Sequence, residues 1–169
     1  REGLKYLPDG PEGPEVHTPE AFKKIYQVVK DSGYVGATMP TQYGGGGAPF
    51  TTAILAGEVG IASNMAFYMG PGLSHGAMKT ILKKATQELK DKYLPNMTSG
   101  EWMGTMCLTE PQCGTDLGLI KTTAKPVDEH YELNGQKIWI SFGEHDLTEN
   151  IIHLVLARTP DAPAGIKGI

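Results

Sequence analysis

Apolar residues recur at helical spacing over the first hundred positions, and then in the short, turn-bounded runs of strands. Between positions 18 and 33, Phe22, Ile25, Tyr26, Val28 and Val29 form one face, leaving Lys23, Lys24, Gln27 and Lys30 to solvent. Thr18 is expected as the N-cap, Pro19 suits the first helical position, Glu20 complements the positive helix end, and Gly33 supplies the stop. A turn region runs from Pro40 through Gly44, Gly45, Gly46 and Gly47, where glycine reaches positive φ without a steric penalty and a helix does not persist. Helix is then expected over 50–62, over 73–84 on Leu73, Ala77, Ile81 and Leu82, and over 86–97, with Gly100 closing the series.

After Trp102 the period becomes that of strands. The spacing predicts strands over 122–127, 130–133 and 136–142, with a nearly continuous apolar run over 151–157. Asn134-Gly135 is the strongest short-range hairpin signal in the chain. Alternation over 136–142 places Trp139 and Ser141 on one face and Ile138 and Ile140 on the other. The expected fold class is α+β, an N-terminal all-α helical domain over 1–101 followed by an antiparallel β-domain opening at 102–169.

Composition narrows the function classes. At 169 residues, with 40% hydrophobic and 20% charged side chains, the chain has ordinary globular usage. Lys plus Arg number 15 against 19 for Asp plus Glu, and no basic block stands out, so nucleic acid is not an expected partner. No apolar run reads as a membrane span. Cys107 and Cys113 fit neither a redox pair nor a zinc half-site and read as buried free thiols. Arg1 at the start and an apolar segment begun at Gly165 and Ile166 read as an internal fragment of a longer protein.

Two stretches carry candidate chemistry. The first runs from Met106 and Cys107 through Leu108, Thr109, Glu110, Pro111, Gln112, Cys113, Gly114 and Thr115 to Asp116; the second is Gly135, Gln136, Lys137, Ile138, Trp139, Ile140 and Ser141. A flavin requires donors at its ring edge, a flat wall, and small residues where backbone meets its pyrophosphate. Thr109, Thr115 and Ser141 are hydroxyl donors, Trp139 is a large flat surface, and Gly114 permits close approach. Read without a ligand, the same residues are a capped turn and an ordinary sheet tryptophan.

These residues resemble the acyl-CoA dehydrogenase family. Leu108 to Asp116 is similar to its Thr-Glu-Pro motif, with Thr115 where Ser is usual, and Trp139 to Ser141 to its later Trp-Ile-hydroxyl motif. Pro40 to Gly45 is similar to its glycine-marked turn, and Lys92 to Pro95 with Ser99 to Glu101 to the segment entering its sheet domain. Gly143 to Asn150 resembles the branch that includes the 3-methylmercaptopropionyl-CoA dehydrogenases.

The resemblance implies a β-barrel or sandwich opening after the helical domain, with a C-terminal helical bundle missing from this chain. It implies FAD as cofactor, held by Met106, Cys107, Leu108, Thr109, Gly114, Thr115, Trp139, Ile140 and Ser141, with Thr115 also reaching the acyl-CoA side. The implied reaction is α,β-dehydrogenation of an acyl-CoA thioester: a carboxylate removes the α-proton and the β-hydrogen leaves as hydride to flavin N5. That carboxylate belongs to the missing bundle, so no residue here is assigned as catalytic; Glu110 reads as a structural carboxylate. The implied partners are acyl-CoA and an electron-transfer flavoprotein or similar acceptor, in a homodimer or homotetramer. The implied place is a bacterial cytoplasm, with the mitochondrial matrix as alternative. A non-catalytic acyl- or protein-binding module that keeps the fold without flavin chemistry is the competing reading.

No metal site is expected, because Glu144, His145 and Asp146 are consecutive on a loop and no second His lies at ligand spacing. They read as a hydrogen-bonded loop, His153 as a core histidine, and Tyr26, Tyr34, Tyr43, Phe50, Phe67 and Tyr68 as core.

Overall fold

The computed structural model describes residues 5–7 and 15–169. The fold is α+β. Helices α1 (Glu20–Asp31), α2 (Phe50–Lys84) and α3 (Gln87–Ser99) occupy the first part. Among the described residues the strands form three two-stranded sheets: β1 (Lys5–Leu7) with β2 (Glu15–His17), β3 (Trp102–Cys107) with β6 (Asn150–Val155), and β4 (Thr123–Val127) with β5 (His130–Asn134). The chain divides into two compact units, one reaching to Thr105 and including Phe142–Ile152, the other comprising Met106–Ser141 and His153–Ile169.

In the first unit the core gathers Tyr26, Phe67 and Met103, with Phe22, Val29, Phe142 and Leu147 packed against them. Phe22 meets Phe67 edge to face at 5.4 Å between ring centroids, and the Tyr26 hydroxyl donates to the Gly100 carbonyl at 2.7 Å. Of the apolar face expected for α1, Ile25 and Val28 are exposed. Thr18 is not the side-chain cap expected of it: the helix starts from Pro19, and the Thr18 hydroxyl donates instead to Asp146 at 2.5 Å. With Pro19 at the cap position, Thr18 lies one residue outside the helix, and a carboxylate from the 143–149 loop accepts its hydroxyl proton.

α2 departs most from expectation. The helix expected at 50–62 ends close to its expected bound, at a break at Asn64, but the helix expected at 73–84 begins well before 73, because Phe67, Gly70, Pro71 and Ser74 are buried and tertiary packing overrides the poor helix propensity of Gly and Pro. An 18-residue window of this 35-residue stretch has a mean hydropathy of 1.2, apolar enough by length and composition to match a membrane span. Asn64 breaks it, with φ −161° and ψ 91°, and its side chain accepts from the Phe67 N–H at 3.0 Å as the cap of the following helix. The first piece, 50–63, is then about 21 Å long, short of a hydrocarbon core of about 30 Å.

α3 matches its signals, with Thr86 accepting from the Leu89 N–H and Gly100 at φ 82° as the C-cap. Entry to β3 is close-packed: a side chain at Gly104 would strike Ala77 and Met97, and the Gly104 N–H donates to the buried Ser74 hydroxyl at 3.0 Å.

The β4–β5 hairpin turns at Asp128 and Glu129, between Val127 and its partner His130, not at Asn134-Gly135. Asp128 takes φ 49° there, a conformation that Asp tolerates through its short polar side chain. Gly135 serves another purpose, since its α-carbon lies against Thr122 where a side chain would overlap Oγ1 and Cβ. No strand forms over 136–142. His153 lies exposed on β6, not in the core, while Ile151, Ile152, Leu154 and Val155 are half-buried.

Candidate functional site

The site is built in the second unit from the end of β3. After Cys107 the chain leaves the strand and makes a tight turn in which the Glu110 N–H donates to the Cys113 carbonyl at 2.8 Å and the Cys113 N–H returns to Glu110 at 3.0 Å. Pro111, with its preset φ, suits the first central position of such a turn. Gly114 and Thr115 follow, both exposed. The Asp116 carboxylate then accepts from the Gly118 N–H at 3.0 Å, starting a short 3-10 turn over Leu117–Leu119.

The second motif segment lies beside the first. The Ile138 N–H donates to the Thr109 carbonyl at 3.0 Å, and the Lys137 ammonium donates to the Leu108 carbonyl at 3.0 Å and to Glu110 Oε1 at 2.9 Å. The structure thus brings together Leu108, Thr109, Ile138 and Trp139 from two stretches some thirty positions apart. Met106, Ile140 and Ser141 are half-buried nearby in sequence, and Cys107 is buried.

Trp139 corrects the expectation of an alternating strand. It takes φ 58° and is 84% exposed, so the argument placing it with Ser141 on one strand face does not hold. The segment is tied by Lys137 and Ile138 rather than by a ladder, and a left-handed residue turns the indole outward. An exposed indole is a flat surface open to a ligand, which a core tryptophan is not.

Glu110 is the hub. It is 3% exposed; Oε1 accepts from the Thr122 N–H at 3.0 Å, the Thr122 hydroxyl at 2.5 Å and Lys137, while Oε2 accepts from the Lys121 N–H at 2.7 Å and Gln112 at 2.5 Å. Burial opposes its ionisation, but the Thr122 hydroxyl, the Lys121 N–H, the Lys137 ammonium and the Thr122 N–H outweigh it and hold the carboxyl well below the usual range. Such a group is a poor general base.

Sequence reasoning missed Lys137, Thr122 and Arg158 as organisers. The Arg158 guanidinium donates to the carbonyls of Gly118 at 2.7 Å, Ile120 at 2.8 Å, Gly165 at 2.9 Å and Pro163 at 3.2 Å. It thereby pins the 117–120 turn to the last residues of the chain. For Lys137 the available signal was a lone cation followed by Ile138, Trp139 and Ile140.

The first unit holds a separate apolar cleft of about 490 Å³ lined by Tyr34, Phe50, Ile54, Tyr68 and His75 among others. Tyr68 fits because Gly57 and Gly60 lie against its ring, and its hydroxyl pairs with that of Tyr34. His75 stacks on Phe50 at 6.0 Å between centroids and its Nε2 lies 2.6 Å from the Thr38 hydroxyl. Burial, then the Lys79 charge, lower its pKa, favouring the neutral ring. Among the described residues no three His, Cys, Asp or Glu side chains are grouped to hold a metal ion.

A helical unit leading into strands, with an exposed tryptophan and a glycine-marked turn in the second unit, defines the class as an α+β protein. The model of the acyl-CoA dehydrogenase N-terminal domain matches residues 11–101, and that of the acyl-CoA dehydrogenase middle domain matches 105–168. The chain belongs to the acyl-CoA dehydrogenase family.

Among its relatives, a 3-methylmercaptopropionyl-CoA dehydrogenase of Ruegeria pomeroyi is 43% identical over 94% of this chain and 27% of its own length. A butyryl-CoA dehydrogenase of Syntrophomonas wolfei is 40% identical over 99% of this chain and 27% of its own. The crystal structure of an acyl-CoA dehydrogenase complexed with FAD from Bacillus anthracis superposes with TM-score 0.70 at 31% identity, covering 82% of this chain and 24% of that one. The chain thus spans about a quarter of the length of the curated relatives it matches.

Proposed function

We propose that this chain supplies one wall of the flavin site of an FAD-dependent acyl-CoA dehydrogenase. The observation that carries the reading is the backbone bond from Ile138 to Thr109, which ties the residue before the exposed Trp139 to the first motif. The carbonyls of Cys107, Leu108 and Thr109 accept from Leu156, Lys137 and Ile138 respectively. What the segment offers a ligand is therefore chiefly donors, suited to the oxygen- and nitrogen-rich edge of a flavin.

Met106, Cys107 and Leu108 contribute backbone to this wall. Thr109 and Ser141 contribute hydroxyls, Trp139 its ring and Ile140 apolar surface. Gly114 and Thr115, exposed past the tight turn, suit a phosphate and the adjoining acyl-CoA. When bound, FAD would supply an acceptor for the β-hydrogen of the thioester as hydride, and no residue of this chain is assigned to take the α-proton. The cleft bounded by Tyr34, Phe50 and Tyr68 is an apolar surface of the first unit that suits an acyl chain. The electron acceptor in this reading is an electron-transfer flavoprotein or a carrier of the same class.

The test is reconstitution of the full-length product of the reading frame with FAD. The expected protein is yellow, and anaerobic addition of a short-chain acyl-CoA bleaches its visible band. A protein that folds and retains no FAD overturns the proposal.

A further inference from the structure

We infer that Glu110 and Lys137 are positioning residues of the flavin wall: their ion pair fixes segment 136–141 against Thr109 and so sets where Trp139 stands. This rests on the flavin reading above.

Trp139 is 84% exposed, so packing of its own side chain does not locate it. Its position is inherited from the two residues before it. Ile138 is tied through its N–H to Thr109, and Lys137 is tied at both ends of a short bridge, to the Leu108 carbonyl and to Glu110. The Lys137 side chain is 11% exposed and that of Glu110 2%, so water does not readily replace either partner. Glu110 is in turn fixed by the backbone N–H groups of Lys121 and Thr122. The pair therefore links three segments, 108–113, 121–122 and 137–139, through one carboxylate. Both oxygens are saturated by donors, which suits an anchor and not a proton acceptor. A buried, hydrogen-bonded charge pair gives fixed geometry rather than net stability, because desolvation offsets much of its Coulomb attraction.

The experiment compares wild type, Lys137→Met, Lys137→Arg and Glu110→Gln in the full-length protein. FAD affinity is read by flavin fluorescence, the environment of the flavin by its visible band, and that of Trp139 by indole emission in the absence of FAD. Asp146→Ala, in the other unit, controls for loss of stability alone. Lys137→Met is expected to weaken FAD binding by about tenfold or more, to shift the flavin band and to change the indole emission of the flavin-free protein. Lys137→Arg should recover most of the affinity, while Asp146→Ala lowers the melting temperature with FAD affinity unchanged.

If Lys137→Met fails to fold by circular dichroism, Glu110→Gln carries the same test, because it keeps the shape and removes the charge. FAD binding and a flavin band in Lys137→Met equal to wild type overturn the inference. So does an equal loss of affinity in Asp146→Ala. Wild-type protein that takes up no FAD overturns the flavin reading itself, which distinguishes the two failures.

Discussion

Glu110 in the second unit and Asp146 in the first both gather donors from distant stretches of chain, at different depths. The Asp146 carboxylate accepts from the Thr18 N–H at 2.9 Å and hydroxyl at 2.5 Å, with Lys23 at 3.0 Å and His17 at 3.3 Å on its other oxygen. Its side chain is 27% exposed, against 2% for Glu110. Burial works against ionisation at Asp146 as well, and the Thr18 hydroxyl and N–H, with Lys23 and His17, overcome it and hold its pKa below the usual range. Water can repair a loss at Asp146 and cannot at Glu110. The first carboxylate staples a loop to the start of a helix; the second is the pivot on which the candidate flavin wall is hung.

The largest effect that sharpens this contrast is Glu110→Ala. It strands the buried Lys137 ammonium and the Thr122 hydroxyl, and should cost about 3–5 kcal/mol, as breaking a buried ion pair does, measured by urea denaturation. A cost no greater than that of Asp146→Ala breaks the comparison. Asp146→Ala should cost about 1–2 kcal/mol through its charge-assisted bonds to Thr18, on the same assay.

Acid should separate the two sites further. Both carboxyls have depressed folded pKa values, so the unfolded chain binds more protons as the pH falls. Their stabilisation is fully present above the ordinary values, about 4.3 for Glu and 3.9 for Asp, and is lost as the pH falls below them toward the folded values. Melting temperature followed between pH 6 and 3 should drop, and Glu110→Gln should flatten the drop more than Asp146→Asn. The smallest expected effect is at Lys23, whose ammonium pairs at the surface with Glu20 and Asp146. Lys23→Ala should leave the melting temperature unchanged within error, and a clear fall there would show that the Asp146 cluster is more than a surface staple.

Much of the helical part was legible because its signals are local. Thr86 and Gly100 bracket α3 as their chemistry demands, and β4 and β5 fall within a residue of the expected runs. The end of the first helix expected at 50–62 falls within two residues of the break at Asn64, but the start of the next helix well before 73, capped by Asn64, was not legible, since Gly70, Pro71 and Gly72 argue locally against helix. The strand expected over 136–142 failed for a related reason. Alternation of Ile138, Trp139 and Ile140 is a two-residue signal, whereas their conformation depends on Lys137 reaching a carboxylate 27 positions earlier. The family resemblance singled out the motif residues, two of which, Thr109 and Ile138, the structure joins by a backbone bond. Glu110 was legible as a structural carboxylate, but the donors that make it one were not. Thr122, Lys137 and Arg158 act across distances in sequence that no periodicity encodes.

The most direct measurement is a titration of the full-length protein with FAD, followed by indole emission in wild type and in Trp139→Phe. Trp102, the other indole of this chain, is retained in both. With Trp139 as a wall of the site, wild-type emission falls as the visible flavin band grows, both saturating together. Trp139→Phe loses that quenching and binds FAD more weakly. Flavin binding that leaves the emission of Trp139 untouched, or no flavin binding by folded protein, contradicts the account.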